Sequence, residues 1–223
     1  MHKCTVPRVS RRTLLGWGIA HCSAIALNAA AAGTSGGDAV VLVLGDSLSA
    51  EYGLPRGSGW VALLEQRLAD RRPAVRVVNA SVSGDTTAGG RSRLPALLAR
   101  HRPTQVVIEL GGNDALRGLP LSMTEGNLRA IVRAAKAAGA RVLITGMQVP
   151  PNYGRRYGED FAALFARVAK AESAALVPFL LAGVADAPDA ARLFQPDRIH
   201  PDVAAHPRIL DNVWPVLQPL LGS

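Results

Sequence analysis

The chain has 223 residues, with 25 Lys+Arg against 17 Asp+Glu and two cysteines, Cys4 and Cys22. That length suits one domain or a domain with an appendage. The basic charges are scattered, and without a long Lys/Arg run they exclude a nucleic-acid tract.

Residues 1–32 do not read as part of a fold. Lys3, Arg8, Arg11 and Arg12 form a basic head without an acid, an apolar run follows over 14–27, and alanines fill 29–32. Charged head, apolar middle and small-residue exit make a cleavable export signal. The apolar run is broken by His21 and Ser23 and is too short for a membrane span, which takes about 20 apolar residues. Arg11-Arg12 before that run fits either a twin-arginine signal or the general secretory route. His21 is too bulky for a lipoprotein cleavage site at Cys22. Cleavage near Ala31 or Ala32 removes four Lys/Arg and both cysteines, leaving 21 basic against 17 acidic residues, a net charge of +4. The exported protein then has no disulfide, no thiol chemistry and no stable membrane anchor. It is periplasmic or secreted, and a monomer is the favoured state. Residues 33–39 read as a flexible lead-in and 40–223 as the folded domain, large enough to bury about 70% of its unfolded surface.

Five short apolar runs punctuate that domain: Val40-Val41-Leu42-Val43-Leu44, Val75-Arg76-Val77-Val78, Val106-Val107-Ile108-Glu109-Leu110, Val142-Leu143-Ile144-Thr145 and Leu176-Val177-Pro178-Phe179. Their β-branched continuity predicts strands covered on both faces. Helical stripes lie between and after them: Val61, Leu63, Leu64 and Leu68; Leu128, Ile131, Val132 and Ala135; Phe161, Leu164, Phe165 and Val168; Ile209, Leu210 and Val213. Such stripes are core. Strand starts about 30 to 36 residues apart suit βαβ units. The class is α/β, a parallel sheet with helices on both faces, and its active site is expected at the carboxyl ends of the strands.

Polar residues gather at the end of strand after strand. The first strand runs into Gly45-Asp46-Ser47-Leu48-Ser49, which offers a nucleophile or a helix cap. The α/β-hydrolase pattern G-x-S-x-G is not met, because position 49 is Ser. After the second strand, Gly84 precedes a helix, where a glycine N–H is open to a ligand. After the third, Gly111-Gly112-Asn113-Asp114 is either a tight turn or a place from which the Asn113 amide donates to an oxyanion. Near the C-terminus, Asp197-Arg198-Ile199-His200 offers a carboxylate and an imidazole able to converge. A serine hydroxyl needs such a base to attack. His206 follows at a spacing without metal-site logic, His101 sits among arginines, and no H-E-x-x-H or Cys/His cluster is present, so neither metal nor cofactor is expected. Neither G-x-G-x-x-G nor a Walker loop follows the first strand.

Gly45-Asp46-Ser47-Leu48, Gly84, Gly112-Asn113-Asp114 and Asp197-x-x-His200 resemble the four motif blocks of the GDSL/SGNH hydrolases. Val78 to Thr86, Glu109 to Asp114 and Pro150 to Tyr157 are similar to the periplasmic thioesterase/lysophospholipase/arylesterase branch. The resemblance covers roughly 40–220. It implies a flavodoxin-like α/β/α sandwich on a five-stranded parallel sheet and a serine esterase without cofactor. Ser47 would be the nucleophile, His200 the base and Asp197 its orienting acid. The N–H groups of Ser47 and Gly84 and the Asn113 amide would form the oxyanion hole. Residues 115–120 would correspond to a substrate-responsive lid. Leu116, Leu119, Val149, Pro150 and Tyr153 are candidates for an acyl groove. The expected substrates are small esters, thioesters or lipids, including aryl esters and lysophospholipids. Two other readings stand beside hydrolysis: acyl transfer to an alcohol or sugar, and a non-catalytic lipid- or glycan-binding module.

Overall fold

The computed structural model describes residues 1–2, 39–72 and 74–222. The export signal and the lead-in 33–38 lie outside the described residues. Ala39, read from sequence as the end of the lead-in, already belongs to the first strand.

Five strands, β1 (Ala39–Gly45), β2 (Val75–Asn79), β3 (Gln105–Glu109), β4 (Arg141–Thr145) and β5 (Ala175–Val177), form one sheet in the order β2-β1-β3-β4-β5. All four pairings are parallel, with Leu42 opposite Val78 on one side and Val106 on the other. Residues 41–44 and 106–108 are solvent-free, as the continuous β-branched runs predict. β5 is shorter than its apolar run, because Pro178 has no N–H to continue the ladder.

The major helices are α1 (Trp60–Arg71), α2 (Thr87–His101), α4 (Leu121–Ala137), α5 (Arg155–Ala171) and α6 (His206–Leu217), with a short α3 (Gly112–Leu116) after β3. α1 packs on α6, while α2, α4 and α5 pack in sequence, giving two helical layers around the sheet. Every residue of the 128/131/132/135, 161/164/165/168 and 209/210/213 stripes is buried; in the α1 stripe only Leu63 is partly exposed. Gly90 lets α2 approach the sheet, since a Cβ there would run into Leu110. α3 occupies the segment for which the sequence offered only a turn or a projecting amide.

Winding reverses between β1 and β3, neighbours in the 2-1-3-4-5 order. Loops leaving these strands diverge to opposite faces and open a crevice, the usual ligand site of such sheets. The residues that follow β1, β2 and β3 are therefore brought to one edge.

Candidate active site

Ser47 opens the turn after β1, which is closed by the Ser49 and Ala50 N–H groups on the Asp46 carbonyl at 3.2 and 3.0 Å. Its Oγ lies 2.8 Å from Nε2 of His200. His200 Nδ1 is 2.7 Å from Asp197 Oδ2. The other carboxylate oxygen, Oδ1, accepts the N–H groups of Ile199 and His200 at 2.9 and 3.0 Å. Arg198, at φ +58°, makes the left-handed turn that folds the two residues together. Burial pushes the Asp197 carboxyl up, but the His200 ring and the two N–H donors outweigh it and hold the pKa at about 2. The acid is thus ionised beside an imidazole whose tautomer it fixes with the proton on Nδ1 and the lone pair toward Ser47.

Gly84 and Asn113 line the same cavity as Ser47 and His200. Gly84 has φ +79°, open to glycine at no cost. Asn113 donates one amide N–H to Asp46 Oδ2 at 2.9 Å, which leaves its second N–H unspent. The backbone N–H groups of Ser47 and Gly84 have no partner among the described residues. Three unspent donors therefore border one cavity beside a hydroxyl held by a base. Such a set suits the oxyanion of a tetrahedral acyl intermediate.

The cavity encloses about 910 Å³ and is walled mainly by apolar side chains. Leu116, Val149 and Pro150 line it, together with Met147, Phe179 and Phe194. The structure does not bring Leu119 or Tyr153 to this wall. Leu119 closes the turn after α3 through its N–H on the Asp114 carbonyl at 2.9 Å, and Tyr153 stacks on Tyr157 at 6.1 Å. In the 115–120 segment, Arg117 reaches the Gly84 carbonyl at 2.7 Å, tying that segment to the loop after β2.

Several residues that sequence reasoning left without a role surround the site. Asp46 is almost fully buried: its N–H donates to Glu109 Oε2 at 3.2 Å, and its Oδ1 accepts the Leu48 N–H at 3.1 Å. Burial raises its pKa to about 6, against the Leu48, Asn113, Glu109 and His200 contacts that lower it. Glu109 ends β3 and is raised well above the ordinary carboxylate range, first by burial and then by the Asp46 charge. A lone acid inside an apolar strand was the available signal for it. Asp114, also buried, fixes the start of α2 by accepting from the Thr87 N–H at 2.8 Å and from the hydroxyls of Thr87 and Thr124. Tyr52 sets its ring 4.3 Å from that of His200, centroid to centroid. Gln195 supports the same loop: its N–H donates to the His200 carbonyl at 2.8 Å and its amide to the carbonyls of Tyr52 and Pro201 at 2.8 and 3.1 Å. His206 lies elsewhere, buried at the start of α6 with Nδ1 accepting the Trp60 N–H at 3.0 Å.

Comparison with known proteins agrees with this arrangement. Residues 43–208 match the model of the GDSL-like lipase/acylhydrolase family. The chain is 55% identical over 181 residues to esterase TesA of Pseudomonas aeruginosa, covering 81% of this chain and 89% of that protein. It is 44% identical over 182 residues to thioesterase 1/protease 1/lysophospholipase L1 of Escherichia coli K12, covering 82% and 85%. A crystal structure of TesA superposes with a TM-score of 0.77 over 81% of this chain and 99% of the other. With the match spanning most of the folded domain and the motif residues gathered at one sheet edge, the chain belongs to the GDSL-like lipase/acylhydrolase family.

Proposed function

We propose that the protein is an exported serine esterase that hydrolyses carboxylic esters and thioesters through an acyl-Ser47 intermediate. The observation that carries this reading is the hydrogen-bonded line Ser47 Oγ–His200 Nε2, 2.8 Å, and His200 Nδ1–Asp197 Oδ2, 2.7 Å. His200 takes the hydroxyl proton as Ser47 Oγ bonds to the substrate carbonyl carbon. The carbonyl oxygen becomes an oxyanion held by the N–H groups of Ser47 and Gly84 and by the free N–H of Asn113. Collapse breaks the ester or thioester bond, and the proton on His200 leaves with the alcohol or thiol. Water then attacks the acyl group, giving its proton to His200, and the acid departs as Ser47 recovers its hydrogen.

The apolar wall of Leu116, Met147, Val149 and Phe179 suits the hydrocarbon part of an acyl group. Substrates are therefore small-molecule esters or lipids, with aryl esters, acyl thioesters and lysophospholipids as the classes to test; the relatives named esterase, thioesterase, lysophospholipase and arylesterase support that range. Export rests on the basic head and apolar run of residues 1–32. No described helix is long and apolar enough to cross a membrane. The test is hydrolysis of p-nitrophenyl esters across acyl lengths by wild type and Ser47→Ala. Near-complete loss in the variant, with its circular dichroism unchanged, is expected; retained turnover would refute the acyl-serine route.

A further inference from the structure

Behind Ser47 the Glu109 carboxyl lies against the backbone of Asp46, and among the described residues neither acid makes an ion pair. Glu109 is fully buried. Its Oε2 accepts the Asp46 N–H at 3.2 Å and the Ser49 hydroxyl at 2.8 Å, and Ser49 in turn accepts the Trp60 indole N–H at 3.1 Å. Its Oε1 has no donor among the described residues. The contact is close because residue 45 is glycine: a Cβ there would come within 2.8 Å of Glu109 Oε2.

An ionised Glu109 would present a bare anionic oxygen in the interior, stripped of its solvation and facing the repulsion of the Asp46 charge. A neutral acid removes both problems, since the orphan oxygen becomes a donor and the adjacent Asp46 carboxylate becomes its acceptor. The other charged groups nearby are already committed. Arg93 of α2 bonds to Asp85, Ala80 and the Gly45 carbonyl. Asp114 of α3 is spent on Thr87 and Thr124, and His200 on Asp197 and Ser47.

We infer that Glu109 is a positioning residue held as the neutral acid, donating its Oε1 proton to Asp46, so that the pair carries one negative charge and that charge anchors the Asn113 amide at the Ser47 cavity. Two elements of the oxyanion hole are fixed by this pair, the Asn113 amide and the backbone at Ser47. Asp46 Oδ2 binds the Asn113 amide at 2.9 Å. The Asp46 and Leu48 N–H groups, on either side of Ser47, bind Glu109 and Asp46 Oδ1. The Ser47 N–H between them has no partner among the described residues. Two full charges at this spot would oppose an oxyanion forming in front of them; one, already hydrogen-bonded twice, opposes it less. The inference rests on the oxyanion role proposed above for Asn113.

The test compares Glu109→Gln, Glu109→Leu, Asn113→Ala and wild type by infrared spectroscopy near neutral pH and by kcat, KM and pH profile on a p-nitrophenyl ester. The wild type minus Glu109→Gln difference spectrum is expected to contain the C=O stretch of a protonated carboxyl. Glutamine supplies an N–H where the acid has its O–H, so Glu109→Gln should keep kcat within about threefold and leave the pH profile in place. Glu109→Leu can neither donate to Asp46 nor accept from Ser49, and should lose about 10–10² in kcat with KM little changed. If Glu109→Leu does not fold, the band and the glutamine variant still decide. Absence of the band, or a Glu109→Gln loss as large as that of Asn113→Ala, overturns the neutral acid. A band together with full kcat in Asn113→Ala supports the shared proton and overturns the oxyanion role, so the two failures are told apart.

Discussion

Asp197 grips His200 at two points, through Oδ2 on the ring Nδ1 at 2.7 Å and through Oδ1 on the backbone N–H at 3.0 Å. Backbone and ring of the base are set by one carboxylate, although only two residues lie between the partners and the acid is partly open to solvent. Asp197→Asn keeps the shape but offers Nδ1 an amide in place of an anion. We expect kcat to fall by about 10²–10⁴ with KM nearly unchanged, as for a misassigned tautomer. A folded variant with normal kcat would remove Asp197 from the machinery.

The same contact has a pH signature. The folded pKa of Asp197 is about 2, below its ordinary 3.8, so its stabilising contribution is complete above 3.8 and is lost as pH falls from there toward about 2. In Asp197→Asn this loss is absent. Thermal melts of the two proteins should converge as the pH is lowered through that window; a constant gap would mean that the carboxylate gains nothing from folding.

Asn113 holds Asp46 with one N–H and leaves the other free. If the free N–H meets charge only as the tetrahedral intermediate forms, Asn113→Ala lowers kcat by about 10²–10³ and moves KM far less. A change confined to KM would place Asn113 in ground-state binding instead.

How far the sequence reaches is seen by contrasting Ser47 with Glu109. Ser47, Gly84, Asn113, Asp197 and His200 announce themselves because each follows an apolar strand or sits in a motif block, and in a parallel sheet strand ends share one edge. The strands and stripes are legible for a similar reason, since burial on two faces or one forces continuous or periodic apolar text. Glu109 differs: it lies inside the text of a strand, and its meaning depends on Gly45 of a neighbouring strand and on Ser49 sixty residues away. Tyr52 and Gln195 are similar, meeting only when the segment carrying His200 folds back across the strand ends. Leu119 and Tyr153 show the opposite limit. Both are apolar or aromatic residues near the motif blocks, yet one closes a tight turn with its N–H on the Asp114 carbonyl at 2.9 Å and the other stacks on Tyr157, and no local pattern distinguishes them from Leu116 and Pro150.

Gln195 is the strut of the His200 loop. Its amide bridges the carbonyls of Tyr52 and Pro201, and Tyr52 in turn covers the imidazole. Gln195→Ala removes both bridging bonds, each worth about 1 kcal/mol. A drop in kcat of up to about tenfold is expected, with steady-state KM less affected and Ser47 labelling by a phosphonate slowed in parallel. Unchanged labelling would show that the loop is held without it.

His206 acts on stability and not on the site. Its Nδ1 accepts the N–H of Trp60, the first residue of α1, whose N-cap Gly59 has no side chain to do so. That bond exists only while the ring nitrogen is unprotonated, and Nε2 is buried without a hydrogen-bond partner among the described residues. Burial lowers the pKa below the ordinary 6.5, against the weaker raising effects of the Pro201 carbonyl, Glu51 and Asp202. A histidine with a depressed folded pKa gives stability that is complete above 6.5 and drains away as pH falls below it, because the unfolded chain then binds the extra proton. His206→Ala should cost about 1–3 kcal/mol near neutral pH through the lost cap and the space left beside Trp60. It should also flatten the fall in stability as pH drops below 6.5. Ester hydrolysis at a temperature where the variant stays folded should match wild type, since His206 does not line the cavity. Urea titrations of the two proteins at several pH values provide the measurement, and an unaltered slope would show that this imidazole does not titrate on unfolding.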